Sequence, residues 1–389
     1  MSRPFDASRS LTALEQDSTI IAAIEMAQSK WLVAAVVPGI KRQPLKKLDA
    51  DEELLFKLLH RWRNEADQAG HPIKRVVVAY EAGRDGFWLA RWLGTRGVEA
   101  YVIHPTSIAV SREHRRAKTD RLDTELLLRA VLGWLRGEKR HCSMVAIPTI
   151  EEEGAKRPNR ERGGLVVEQT RIVNQVKAIL TRFGIRSFRP NLRKAEDQLK
   201  ELRTAEGSAL PENTRAELFR HLARLRMVRE QIRAIERERL QKLEANHGGR
   251  KGPNAMVHLI ARVVGIGVET AVMLVAEVFS RHFRNRKAIA RYAGLTGSPD
   301  ESGKRRREKS LARAGNARVR TGMIQLAWRF LRSQEDSALA HWFQTRTADG
   351  RGTTRKTMIV ALARKLLIVF WRLVTTGEVS DGIVLRSAS

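Results

Sequence analysis

Apolar residues fall along this chain in two rhythms. Near the amino end they come as short unbroken runs, Thr19-Ile-Ile-Ala-Ala-Ile-Glu25 and Trp31-Leu-Val-Ala-Ala-Val-Val37. These predict two buried strands joined through Gln28 and Ser29 as a hairpin, with Glu25 at a strand end. From Asp49 to Ala69 the spacing turns helical, with Leu54, Leu55, Leu58, Leu59 and Trp62 on one stripe and Asp49 or Asp51 as cap. Arg75-Val-Val-Val-Ala-Tyr-Glu81 is the next strand and ends in an acid before a Gly-containing loop. A helix through Phe87, Leu89, Ala90, Trp92 and Leu93 follows, then a strand from Val98 to Ile103 and a turn at His104-Pro105. A further helix opens at Lys118-Thr119-Asp120-Arg121-Leu122-Asp123 and runs on through Leu126, Leu127, Leu128, Val131 and Leu135, with Thr119 or Asp120 as its cap. Such alternation predicts one α/β domain.

Beyond it the rhythm changes. Residues 151–164 are charged and rich in Pro and Gly with no apolar period, which predicts a linker. Val166–Phe183 and Pro211–Ala245 then read as helices, the second with Leu218, Leu222, Leu225, Val228, Ile232, Ile235 and Leu243 close to coiled-coil spacing. Breakers from Asn246 to Pro253 end that segment. Past them, Gly265-Ile-Gly267 makes a tight turn between apolar helices, a helix-hairpin-helix-like element whose second helix would turn its amide end toward a phosphate. A loop from Tyr292 to Arg307 and helices over Met323–Leu331 and Thr357–Val374 complete the chain. The expected organisation is therefore a flexible arm (1–18), an α/β domain (19–150), a linker (151–164), a helical, coiled-coil segment (165–250) and a mostly helical carboxyl-terminal domain (251–389).

Composition adds a partner. The 389 residues carry 72 Lys and Arg against 43 Asp and Glu, a formal charge of +29, well beyond what solubility needs, which points to a polyanion. No uncharged apolar run reaches the roughly 18 residues of a membrane span, and no secretory signal opens the chain, so a membrane partner is not expected. The single cysteine, Cys142, excludes an intramolecular disulfide and a multi-cysteine zinc site, and a reducing cytoplasm is expected. The charge is concentrated between Arg281 and Arg320, with 13 Lys or Arg against 3 Asp or Glu. There Lys304, Arg305, Arg306 and Arg307 stand among Gly and Ser, a composition suited to gripping a phosphodiester.

Four carboxylates of the α/β domain stand out: Glu25, Glu81, Asp120 and Asp123. Oxygen donors at strand ends and a helix start suit a site for two Mg²⁺ ions, which would stabilise the attacking and leaving oxygens at phosphorus. Lys118 and Arg121 beside them would bring a polyanion to a site that would otherwise repel it.

These elements in this order resemble a known family. Glu25, Glu81 and Lys118-Thr-Asp120-Arg-Leu-Asp123, followed by Gly265-Ile-Gly267, Tyr292-Ala-Gly-Leu295, Ser302-Gly303-Lys304 and Ala314-Gly315-Asn316-Ala-Arg318, resemble the DEDD-type insertion-sequence transposases related to the Piv DNA invertase. The resemblance runs from about Ile20 to Leu331. It implies a ribonuclease H-like (RuvC-like) amino-terminal domain in which the four acids bind Mg²⁺. It also implies a serine that attacks the DNA phosphate to form a covalent phosphoserine. Position against the family's Ser-Gly element selects Ser302, with Ser298 and Ser310 as alternatives. Family membership further implies a homo-oligomer, dimer or tetramer, assembled through the helical middle, and an element-encoded noncoding RNA that chooses DNA targets. The chain departs from the pattern at Glu25, where the family has Asp; the extra methylene moves the carboxylate by about one C–C bond, roughly 1.5 Å. Two alternatives stay open at this point: a non-catalytic nucleic-acid-binding protein descended from a transposase, and a metal-dependent structure-specific nuclease using the acidic domain alone.

Overall fold

The computed structural model describes residues 10, 12–41, 43–83, 86–108, 120–138, 141–245, 252–281, 283–302, 305–311 and 315–387, with the backbone only at 106 and across 298–302 and 305–310. They divide into two compact units, with the boundary after Glu151.

The first unit follows the predicted alternation. In order it contains β1 (Thr19–Met26), β2 (Lys30–Val36), β3 (Leu45–Asp49), α1 (Glu52–Gln68), β4 (Arg75–Glu81), α2 (Trp88–Gly94), β5 (Glu99–Ile103), α3 (Asp120–Leu135), β6 (Met144–Val145) and α4 (Ile150–Gly154), which straddles the boundary. The strands form one sheet in the order β3-β2-β1-β4-β5-β6. The β1–β4 and β4–β5 pairings are parallel and the others antiparallel. Because both faces of the central strands are covered, their sequences are continuous apolar runs rather than alternating ones. Ile20, Ala22 and Ile24 of β1 and Val78 and Tyr80 of β4 share a core with α1 and α2. Ile21 and Ala23 of β1 and Val77 and Ala79 of β4 share another with Leu127, Leu128, Val131 and Trp134 of α3. Asp51 caps α1, its side chain accepting from Leu54 N at 2.8 Å. Strand β3 carries no apolar run to announce it; Leu-Lys-Lys-Leu-Asp is an edge sequence, and its lysines blunt the open edge. The arm expected over 1–18 is partly docked, since Leu14 packs on the α3 side of the sheet and Ser10 N donates to Trp134 O at 3.1 Å.

The second unit is helical. Helix α5 (Arg157–Thr181), α6 (Ala195–Glu201) and α7 (Glu212–Ala245) enclose a core of Ile172, Val176, Leu180, Leu218, Leu222, Leu225 and Ile232. Arg162 near the start of α5 meets Glu236 late in α7 at 2.6 Å, so the two long helices run antiparallel. Residues 151–164, expected as a linker, instead form α4 and the first turns of α5. Pro158 is tolerated there because first-turn amides need no intrahelical acceptor, and Gly163 and Gly164 are carried along by the ion pairs of Arg162.

Then come α8 (Pro253–Ala261), α9 (Val268–Leu274) with a π-helical turn over Val275–Phe279, α10 (Arg286–Tyr292), β7 (Gly297–Ser302), β8 (Arg305–Leu311), α11 (Ala317–Ser333), α12 (Ala338–Arg346) and α13 (Gly352–Thr376). Ile260, Leu274, Val278, Met323, Leu326, Phe330, Leu362, Leu366 and Phe370 make their common core. The expected loop over Tyr292–Arg307 is the end of α10 followed by a β-hairpin. Gly-Ser-Pro-Asp-Glu-Ser has no apolar position to mark a strand, and only backbone pairing makes it one. Among the described residues no helix is long and apolar enough to cross a membrane.

Candidate functional site

Parallel pairing decides where the first two acids lie. Ile24 of β1 is aligned with Tyr80 of β4, so one residue further along each strand Glu25 stands beside Glu81. Neighbouring strands are about 4.8 Å apart, and successive side chains alternate between faces. Residues 21, 23, 77 and 79 belong to the core shared with α3, so Glu25 and Glu81 continue onto the face that α3 covers. Two like charges opposed on neighbouring strands repel. Glu25 is half-buried and Glu81 exposed.

Asp120 and Asp123 form a second pair in the first turn of α3, three residues apart and hence neighbours on the helix surface. Asp120 is exposed and Asp123 half-buried. The helix start is anchored by Thr124, which is fully buried and donates from Oγ1 to Asp120 O at 2.6 Å. Arg121 pairs along the helix with Glu125 at 3.1 Å. The four acids thus stand as two pairs on elements of one face. Among the described residues no three His, Cys, Asp or Glu side chains approach closely enough to enclose an ion. The donor set is carboxylate oxygen throughout, the chemistry Mg²⁺ takes. Lys118 lies outside the described residues.

In the second unit the hairpin is the second candidate centre. Ser302 ends β7 and is aligned with Arg305, the first residue of β8, while Arg306 and Arg307 are aligned with Glu301 and Asp300. Ser298 and Ser310 lie nearer the hairpin's base, and Lys304 lies outside the described residues.

The base of the hairpin is held by a clasp that joins two motifs some 20 residues apart in sequence. Asn316 N donates to Tyr292 O at 2.7 Å. Gly315, at φ +96, lies against the end of α10, where an added Cβ would come within 2.6 Å of Gly294 N and 2.7 Å of Tyr292 O. The Asn316 side chain caps α11 through Oδ1, which accepts from Arg318 N and Val319 N. Its Nδ2 donates to Glu277 Oε2 at 3.1 Å and to Tyr292 Oη at 3.3 Å. Glu277, in the π-helical turn, is only 4% exposed, and its Oε1 meets Arg318 at 3.5 Å and Arg160 at 3.9 Å. Sequence reasoning missed Glu277, although a lone acid within the apolar run Ala271–Phe279 was a usable signal.

The turn between α8 and α9 finds a structural explanation. Gly265 has φ +89, and a Cβ there would lie 2.6 Å from Ser333 Cβ, so packing against α11 demands glycine. Gly267 is the residue before α9, whose first turn carries Glu269. That acid pairs with Arg162 at 2.9 Å and with Arg239, so a carboxylate already complements the amide end of α9.

Comparison with known proteins gives the fold a lineage. The Sinorhizobium fredii protein y4rJ, named as a transposase, is 40% identical over 392 residues, spanning 97% of this chain and 97% of the relative. This chain belongs to the IS116/IS110/IS902 transposase family. The family model itself, "Transposase IS116/IS110/IS902 family", matches residues 257–342, a segment that holds the hairpin, its clasp and Glu277. More distant relatives include the Coxiella burnetii transposase of element IS1111A, 23% identical over 78% of each chain. The Yersinia enterocolitica transposase of IS1328 is 24% identical over 78% of this chain and 85% of the relative. The transposase is thus an insertion-sequence protein whose partner is DNA.

Proposed function

We propose that this transposase cuts and rejoins DNA by transesterification, with Ser302 as nucleophile and Glu25, Glu81, Asp120 and Asp123 as the residues that hold Mg²⁺, as a two-ion site. The observation that carries the metal half is the β1–β4 register, which sets Glu25 beside Glu81 on the face covered by the helix that bears Asp120 and Asp123. The strand order, with β1 central, supports the ribonuclease H-like reading and the link to Piv-type DEDD recombinases. Mg²⁺, when bound, supplies positive charge for the phosphoryl oxygens.

The serine step balances without an energy cofactor. The Ser302 oxygen forms a new ester bond to phosphorus, a bridging P–O bond of the DNA strand breaks, and the leaving oxygen gains the proton that serine gives up. A hydroxyl of the new partner strand reverses the exchange and frees the serine. Serine is a weak nucleophile until its proton is drawn off. Arg305, Arg306 and Arg307, aligned along the same hairpin, supply charge that attracts the phosphodiester. Lys304, next to them in sequence, adds to that charge, and Lys118 and Arg121 play the corresponding part beside the acids of the first unit. The helical α5–α7 hairpin is the assembly element of a dimer or tetramer. An element-encoded RNA supplies target choice, since no base-reading helix is needed when pairing carries the sequence information.

The test is direct. Purified protein is incubated with element-end DNA, its RNA and Mg²⁺, and a covalent protein–DNA adduct is sought on a denaturing gel. Adduct formation lost in Ser302→Ala and in Asp120→Ala is the expected result. An adduct that survives Ser302→Ala removes Ser302 as nucleophile, and cleavage without any adduct points to hydrolysis instead.

A further inference from the structure

The buried carboxylate of Glu277 gathers more positive charge than it can neutralise. Arg318 and Arg160 reach its Oε1 at 3.5 and 3.9 Å, and Lys156 and Arg281 interact electrostatically with each other beside it. Both carboxylate oxygens are already engaged, Oε2 by Asn316. Glu152 also acts on Lys156, so four cations stand against two acids and the group keeps a positive excess. Two donors on the segments that bear these cations have no hydrogen-bond partner among the described residues: buried Arg281 Nε and Nδ2 of Asn159, a residue only 9% exposed. Asn159 lies one turn from Lys156 and beside Arg160 at the start of α5, and Arg318 lies in the first turn of α11. Two helix amino-terminal turns thus add to the positive field. Arg160 and Arg318 remain about half exposed, at 45% and 42%, so the cluster is open to a ligand.

We propose that Lys156, Asn159, Arg160, Arg281 and Arg318, organised by Glu277, form a binding site for one backbone phosphodiester of DNA at the root of the β7–β8 hairpin. This rests on the transposase reading, because DNA is the polyanion such a protein handles. Orphaned cationic and amide donors are the groups that grip phosphate oxygens, and they carry no base specificity. Burial first, and then the neighbouring Arg281, pull the Lys156 ammonium below its usual pKa; a bound phosphate supplies the missing negative charge. Glu277 acts as the positioning residue. It fixes Arg160 and Arg318, and through Asn316 it ties the phosphate site to the clasp that carries Ser302.

The experiment is a salt titration of binding, read by fluorescence anisotropy on a labelled DNA duplex, without Mg²⁺ and in a Ser302→Ala background. Binding is then scored whether or not the serine chemistry is correct. Removing one phosphate contact lowers the slope of log K against log salt by about 0.9 and weakens binding roughly fivefold near 0.15 M salt. Arg160→Gln with Arg281→Gln is expected to do this on any sequence, while Arg281→Lys restores part of the slope. Arg346→Gln with Arg372→Gln removes the same charge from α12 and α13 and is the control. An equal loss from the control pair overturns the proposal, as does an unchanged slope in a cluster variant that melts like the parent. A loss seen only on an RNA duplex overturns the assignment to DNA.

Discussion

Two glycines of the second unit look equally crowded yet are expected to respond oppositely to alanine. At Gly315 the added methyl would lie 2.6 to 2.8 Å from Gly294 N, Tyr292 O and Arg291 O, all backbone atoms, and the backbone sits at φ +96. Nothing there can yield without parting α10 from the start of α11. The left-handed conformation costs an L-residue roughly 1–2 kcal/mol. Loss of the 2.7 Å Asn316 N to Tyr292 O hydrogen bond adds about 1 kcal/mol, and disturbance of the Asn316 cap adds about 1 kcal/mol more. Gly315→Ala should therefore destabilise by about 3–4 kcal/mol. At Gly322, inside α11, the nearest atom is the Met273 Cε methyl at 2.5 Å, the end of a flexible side chain that can turn aside. Alanine there gains about 0.8–1 kcal/mol of helix propensity, so Gly322→Ala should fall within about 1 kcal/mol of the parent, on either side. Equilibrium urea unfolding of the two variants, with hydrogen exchange at α10 and α11, measures both. Equal midpoints for the two, or a neutral Gly315→Ala, would refute the claim that a rigid backbone clasp holds the hairpin.

Other consequences follow from the same contacts. Burial pushes the Cys142 thiol up to about 12, so maleimide should leave the native protein unlabelled at neutral pH and react only on unfolding, as mass spectrometry will show. Asn316→Ala removes a helix cap and a hydrogen bond to a buried carboxylate, and should cost about 2–3 kcal/mol in urea unfolding; Asn316→Asp would keep the cap but set a second acid against Glu277. The Glu99 carboxyl sits below its ordinary pKa: burial alone would raise it, but the Arg75 hydrogen bond and then that of Tyr101 overcome this. A depressed acid contributes stability above its unfolded pKa and loses it as pH falls through the folded one. Glu99→Gln should therefore lower stability at neutral pH and flatten the acid limb, so that variant and parent converge as pH falls, which melting curves between neutral and acid pH would test.

The sheet and the long helices were legible in the chain because burial on both faces, or along one stripe, writes itself as continuous or periodic apolar residues. β1, β2, β4 and β5, α1, α3 and α7 all carry that signature. β3 and the β7–β8 hairpin do not, since an edge strand and a polar hairpin are held by backbone pairing, to which side-chain hydrophobicity contributes little. The start of α5 was hidden for a related reason. Arg, Glu, Pro and Gly over 151–164 carry no apolar period, and the turns are held by ion pairs such as Arg162 with Glu236 and Glu269 that join residues more than 70 positions apart.

Candidate chemistry divides in the same way. The sequence by itself determined which residue types were present: carboxylates at strand and helix ends, a serine among cations, and an excess of charge that calls for a polyanion. Only the tertiary structure decided neighbours. It is the parallel register that sets Glu25 beside Glu81 and the packing of α3 that gives Asp120 and Asp123 the same face. The folding of α10 against α11 turns Tyr292, Gly315, Asn316 and the unsuspected Glu277 into one clasp. Composition is a property of single positions, whereas a site is a property of distances, and those distances are set by strand pairing and core packing across stretches of chain that share no local pattern.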